Sequence, residues 1–208
     1  MEDAMDSAEW DRRYAEKELL WSAEPNRWVA EVAADLPPGR GLDLAAGEGR
    51  NALWLAERGW TVTAVDFSKV ALGRARALAE RRLGEHVDRL RIVEADLLRY
   101  TPEPGAYDLV LIAYFHAPAE QRRAVVRAAA GAVAPGGLLL IVGHDSDNLA
   151  NGVGGPQDPA VLYSPRDLAA DLAGCGLEIV RAETRDRPVE QPEGTRVARD
   201  AFLLARRG

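Results

Sequence analysis

From about residue 40 onward the chain alternates short apolar, β-branched runs with helical stretches, and that alternation restricts it to a mostly parallel sheet with helices on both faces. Gly41–Ala45 reads as the first strand. A helix follows over 50–58, with Leu53, Trp54 and Ala56 on its apolar face and Gly59 as its stop. Thr61–Val65 supplies a second strand, and Ser68 is placed to cap a helix whose Val70, Ala71, Ala75, Leu78 and Ala79 keep helical spacing. Further strands are expected at Leu90–Glu94, Asp108–Ala113 and Leu138–Gly143. Pro118 is expected to open the helix between the last two, and Pro135-Gly136-Gly137 to end it. Ser164-Pro165-Arg166-Asp167 has the form of a capped helix start. Leu177–Arg181 and Arg199–Ala205 are expected as an antiparallel pair at the sheet edge, joined by a loop containing Pro and Glu.

Composition narrows the function classes. The 208 residues suit a single domain, and 47% hydrophobic with 28% charged residues is ordinary globular composition. A formal net charge of −7 argues against a nucleic-acid substrate, because neutralising phosphates requires a basic face. The clusters Arg74–Arg76 and Arg81–Arg82 alternate with Glu80 and Glu85, as a solvated helix face does. The apolar runs, such as Leu138–Val142, are too short to cross a bilayer, so no membrane is expected as a partner. Glu2, Asp3 and Asp6 give the opening the wrong charge for a targeting peptide, and Cys175 is the single cysteine, so a cytoplasmic location without disulfides is expected.

The chemistry concentrates in Leu42-Asp43-Leu44-Ala45-Ala46-Gly47-Glu48-Gly49-Arg50-Asn51, where glycines stand at a turn from strand to helix. Backbone there can approach a ligand closely, and the helix start presents free N–H groups. With Ala52 the run also fits G-x-G-x-x-A, the loose dinucleotide pattern. Asp43, four residues before the first glycine, discriminates. A carboxylate there repels a pyrophosphate but suits the cationic amino group of an amino-acid ligand. Asp66 ends the second strand, where an acid can accept both hydroxyls of a ribose. Ala95-Asp96-Leu97 ends the third, where a carboxylate can accept an adenine amino hydrogen. Tyr107-Asp108-Leu109-Val110 opens the fourth strand, which runs on to Ala113-Tyr114-Phe115-His116.

Together these stretches resemble the class I S-adenosylmethionine (SAM)-dependent methyltransferases from about residue 10 to the C-terminus. The resemblance implies a Rossmann-like, doubly wound α/β fold with a mostly parallel seven-stranded sheet and an antiparallel edge hairpin. It implies SAM as cofactor and S-adenosylhomocysteine (SAH) as product. It maps the family's first motif onto Asp43–Gly49, its ribose-binding acid onto Asp66, its adenine contact onto Asp96-Leu97 and its fourth motif onto Tyr107–Ala113. Ala45-Ala46 stands where the family often has Gly-Cys. The N-terminal run Trp10-Asp11-x-x-Tyr14 through Trp21-Ser22-x-x-Pro25-Asn26 is similar to a small bacterial subgroup resembling tellurite-resistance and thiopurine-type methyltransferases. The implied cofactor-binding set is Tyr14, Trp21, Asp43, Ala45, Gly47, Gly49, Arg50, Asp66, Phe67, Ser68, Ala95, Asp96, Leu97 and Ala113. The domain is expected to span 1–208, with a helical lid or cap over 1–39 and the core over 40–208.

Trp10, Tyr14, Trp21 and Trp28 either form a lid over the cofactor or dock the first helix on the domain; Tyr14 and Trp21 are assigned to the cofactor, Trp10 and Trp28 to docking. His116, His144 and Tyr114 are the catalytic candidates. Both histidines follow strands that border the acceptor side, and either can take a proton from a hydroxyl or amine. A soft nucleophile needs no base, since positioning alone supplies much of the rate. The glycine-rich Asn148–Pro159 loop is read equally as an acceptor-site cover or a connector. The expected function is methyl transfer from SAM to a small-molecule acceptor, by a monomer or homodimer without a metal. A non-catalytic SAM-binding sensor and an NAD-dependent oxidoreductase are the alternatives. Ile112-Ala113-Tyr114-Phe115 lacks the Asn/Asp-Pro-Pro-aromatic run used for amino groups on bases or glutamine.

Overall fold

A computed structural model describes residues 24–208. Seven strands form one sheet in the order β3-β2-β1-β4-β5-β7-β6. They are β1 (Arg40–Leu44), β2 (Thr61–Asp66), β3 (Leu90–Glu94), β4 (Tyr107–Ala113), β5 (Val133–His144), β6 (Leu177–Gln191) and β7 (Gly194–Arg207). The first five pair in parallel, and β7 runs antiparallel to both β5 and β6. Because β2 and β3 lie on one side of β1 and β4 and β5 on the other, the strand order reverses between β1 and β4. A crevice opens at such a point, outside the carboxyl ends of the strands.

The helices cover both faces. On one face α1 (Arg27–Ala33), α2 (Arg50–Glu57) and α3 (Lys69–Leu83) bury Trp28, Leu53, Leu55 and Leu83 against Val62, Leu109 and Leu140. On the other, α4 (Ala119–Ala132) and α6 (Pro165–Asp171) bury Val125, Val126 and Leu168 against Leu42, Val110 and Leu203. A short α5 (Asn148–Asn151) lies between β5 and α6. The Ser68 hydroxyl accepts the Ala71 N–H at 3.1 Å and caps α3, and Ser164 with Asp167 makes a reciprocal capping box on α6.

Three expected boundaries move, each for a physical reason. Pro118 caps α4 rather than occupying its first turn. Pro135-Gly136-Gly137 does not end that helix, which stops at Ala132. It lies within β5 as a bulge, with Tyr107 paired to Val133 and Leu109 already opposite Leu138. Gly136, at φ 76°, takes the left-handed turn that the bulge requires. The edge pair extends well beyond the expected runs, from Leu177–Arg207 to Gln191–Gly194. Pro188 is tolerated inside this ladder because β6 is the edge strand, where a missing N–H interrupts no outer neighbour.

Candidate functional site

Asp43 stands inside β1, 1% exposed, with its side chain at the start of α2. Neither carboxylate oxygen makes a hydrogen bond. Burial pushes the carboxyl up to about 7, against the opposing pull of the Ala52 amide and the Arg50 guanidinium. A buried, unpartnered acid is costly unless a ligand satisfies it. Above it the chain turns sharply: Ala45 has φ 59°, Gly47 φ 55° and Gly49 φ 77°. The left-handed backbone at Ala45 explains why a glycine suits that position, and Ala45 carries a strain that glycine would not.

Asp66 fastens this turn. One of its oxygens accepts the Gly47 N–H at 2.8 Å and the other the Ser68 N–H at 2.9 Å. Each carboxylate oxygen has a second lone pair, so ribose hydroxyls remain compatible with these bonds. The acid therefore shapes the turn as well as facing the crevice, and Asp66→Ala would disturb both. Phe67 follows it, half-buried, and the Ala95 N–H donates to the Asp66 carbonyl at 2.9 Å, which draws the end of β3 against the end of β2. Leu97 is buried, and Asp96 is exposed, its carboxylate accepting the Leu98 N–H at 2.9 Å.

Across β4 from this crevice lies a cavity of about 270 Å3, lined by Pro25, Asn26, Arg27, Arg50, Tyr114, His144, Arg187 and Pro188. Ala113 ends β4, and Tyr114, which follows at φ 59°, is turned so that its hydroxyl donates to Asp200 at 2.9 Å. Asp200 is fully buried on β7 and gathers three more donors: Trp28 Nε1 at 2.9 Å, Arg187 Nε at 2.8 Å and Arg187 Nη2 at 3.3 Å. Burial, with the Asp200 charge beside it, pushes the Tyr114 phenol well above its ordinary range, so it stays protonated.

The two histidines stack at 5.5 Å between ring centroids, with Tyr114 5.0 Å from His144 and Tyr163 5.6 Å from His116. His144 faces the cavity. Burial lowers its pKa, and its Nδ1, 3.9 Å from an Asp200 oxygen, makes no hydrogen bond. His116 lies behind it, where burial lowers its pKa to about 4 and Nδ1 lies 3.4 Å from the Val161 carbonyl. At neutral pH both rings are therefore uncharged, and only His144 lines the cavity. The glycine-rich loop reaches the same place: a Cβ on Gly155 would lie 2.7 Å from the His144 ring.

The expected residues thus divide into two groups. Asp43, Ala45, Gly47, Gly49, Asp66, Phe67, Ser68, Ala95, Asp96 and Leu97 border the crevice at the ends of β1, β2 and β3, and Tyr114 and His144 line the cavity beyond β4. Arg50 stands between the two, acting on Asp43 while lining the cavity. His116 is not brought to the cavity wall. Tyr14 and Trp21 lie outside the described residues, as do Trp10 and most of the 1–39 cap. Trp28 is docked: it is 6% exposed, packed edge-on against Phe202 and bonded to Asp200. Sequence reasoning missed Asp200, Arg187 and Asn26. An acid directly before the apolar run Ala201–Ala205 of the expected strand was the available signal for the first, whereas Arg187 fell in an expected loop.

Comparison with known proteins points to methyltransferases. A family profile described as a methyltransferase domain matches residues 42–137. The demethylmenaquinone methyltransferase of Thermus thermophilus is 38% identical over 128 residues, covering 60% of this chain and 54% of that protein. A tRNA 5-carboxymethoxyuridine methyltransferase of Escherichia coli is 30% identical over 135 residues, covering 63% of this chain and 49% of that one. The chain thus spans about half the length of each. The magnesium protoporphyrin IX methyltransferase of Synechocystis, solved with bound SAM, shares the fold at a TM-score of 0.69 and 18% identity, with 100% of both chains covered.

Proposed function

We propose that this chain is a class I SAM-dependent methyltransferase and that it transfers the methyl group of SAM to a small-molecule acceptor. The observation that carries the reading is Asp43, a buried carboxylate with both oxygens unsatisfied beneath a glycine turn. That combination suits the cationic amino group of an amino-acid moiety and disfavours a pyrophosphate, so it separates SAM from a dinucleotide. When bound, SAM supplies an electrophilic methyl group on a sulfonium and leaves as SAH. Asp66 accepts the ribose hydroxyls, the Gly47–Gly49 turn approaches the ligand with backbone alone, and Leu97 offers an apolar contact to the base.

The acceptor occupies the cavity beyond β4. Tyr114, fixed by Asp200, forms part of its wall and keeps its own proton. His144 is neutral and its ring lines the cavity, which makes it the group to take a proton from a hydroxyl or amine acceptor. The cavity is smaller than the roughly 300–1,000 Å3 of drug-sized sites, which favours a small metabolite. The net charge of −7 favours the same reading over RNA, although the Escherichia coli relative is a tRNA methyltransferase. No helix among the described residues is long and apolar enough to cross a membrane.

The test has two stages. Calorimetry is expected to show SAM and SAH binding and no NAD binding; absence of both adenosyl ligands at millimolar concentration would sink the proposal. Labelled SAM with a metabolite panel is then expected to yield SAH and a methylated small molecule. Binding without turnover of any acceptor would favour a sensor.

A further inference from the structure

The described cavity wall carries three cationic side chains, Arg27, Arg50 and Arg187, and no carboxylate. Asp200, the acid that holds Tyr114 and Arg187 in this wall, is fully buried and already accepts four bonds, three of them on one oxygen. It fixes Arg187 through Nε and Nη2, which leaves Nη1 outside the pair. Asp200 therefore offsets the Arg187 guanidinium and has little capacity left for a ligand. Arg50 is shared with Asp43 on the other side. Arg27 lies over the Trp28 ring, 4.6 Å from its centroid, an arrangement that orients the guanidinium without neutralising it. His144, uncharged, adds nothing of either sign. A cavity whose described wall carries surplus positive charge and a pre-oriented arginine suits an oxyanion, because guanidinium groups match carboxylate and phosphate oxygens in pairs.

We infer that the acceptor is a small molecule bearing an oxyanion, a carboxylate or a phosphate, held by Arg27 and Arg187 with Arg50 adding its charge. The inference rests on the methyl-transfer reading of the site. Its geometry divides the labour: the arginines of α1 and β6 take the anionic end, and the acceptor's nucleophilic atom is left on the β4 side, between Tyr114 and His144. A cavity of about 270 Å3 suits a molecule of roughly a single ring with its anionic group.

Calorimetric titration with benzoate, phenyl phosphate and neutral benzamide tests this, on the protein alone and on the protein saturated with SAH. The expected result is binding of benzoate or phenyl phosphate to the SAH-saturated protein, with benzamide at least tenfold weaker. The preferred oxyanion tells carboxylate from phosphate. Arg27→Gln, a change at an exposed position, is expected to weaken the oxyanion at least tenfold. Arg187→Lys, which keeps the charge but loses the fork to Asp200, is expected to weaken it too. Equal binding of benzamide and the oxyanions would overturn the inference, as would no oxyanion binding in either form. Displacement of the oxyanion by SAH would also overturn it, by assigning the arginines to the cofactor's own carboxylate. If SAH itself fails to bind, the methyl-transfer reading falls, and the titrations of the free protein alone decide for or against the anion site.

Discussion

At the scale of single residues, Asp43 couples stability to ligand binding. Its folded pKa of about 7 is raised above the ordinary 3.8, so between those values the folded chain holds a proton that the unfolded chain has released. Stability contributed by this group therefore falls as pH rises from about 4 to about 7 and is level above that, at roughly 1.4 kcal/mol per unit of pKa difference at most. Asp43→Asn removes the titration. Urea unfolding between pH 5.5 and 8 is expected to show a flatter pH dependence for Asp43→Asn and greater stability than the native chain at pH 8. SAH affinity should fall at least tenfold in the same variant, and native affinity should weaken as pH drops below 7. Parallel pH slopes for the two proteins would mean that another group titrates. Asp43 was legible in the sequence because an acid before glycines at a strand-to-helix turn has few other uses. Asp200 was not, because its role exists only through Trp28, Tyr114 and Arg187, far from it along the chain.

At the scale of elements, the parallel half of the sheet followed from local pattern, and β3 was read to its exact ends, Leu90–Glu94. The antiparallel half was harder, since proline and glycine mark turns only where their neighbours leave no alternative. Pro188 on an edge strand and Gly136 in a bulge are compatible with continued pairing, and only the register of β4, β5 and β7 reveals it. The longer hairpin matters for the site because it carries both Arg187 and Asp200 to the cavity. Asp200 also ties that hairpin to α1 through Trp28 and to the end of β4 through Tyr114. Asp200→Ala leaves the Arg187 guanidinium partly buried and without its counterion, a change that typically costs about 3–5 kcal/mol. Thermal unfolding is expected to register that loss. Hydrogen exchange should rise over 27–33 and 184–191 beyond its rise elsewhere, because those segments lose a shared anchor. A uniform rise would show that Asp200 supports the core generally and does not position these elements.

At the scale of the whole molecule, the reversal of strand order between β1 and β4 divides the sheet into two halves that meet at the crevice. Asp43, Asp66 and the glycine turn belong to the β1–β3 half, and Tyr114, His144, Arg187 and Asp200 to the other, with Arg50 between them. A ligand in the crevice that reaches the cavity touches both halves, so its binding energy opposes separation of either. At one hundred times its dissociation constant a ligand adds about 2.7 kcal/mol to unfolding. For a chain of this size that corresponds to a rise in Tm of roughly 5–11 °C. SAH is therefore expected to raise Tm by that amount, NAD at the same concentration to leave it unchanged, and Asp43→Asn to cut the SAH effect to about half or less. Protection from hydrogen exchange should then increase at the ends of β1, β2 and β4 together. A Tm rise with protection confined to β1 and β2 would place the ligand in one half alone and remove the link between crevice and cavity on which the proposed methyl transfer depends.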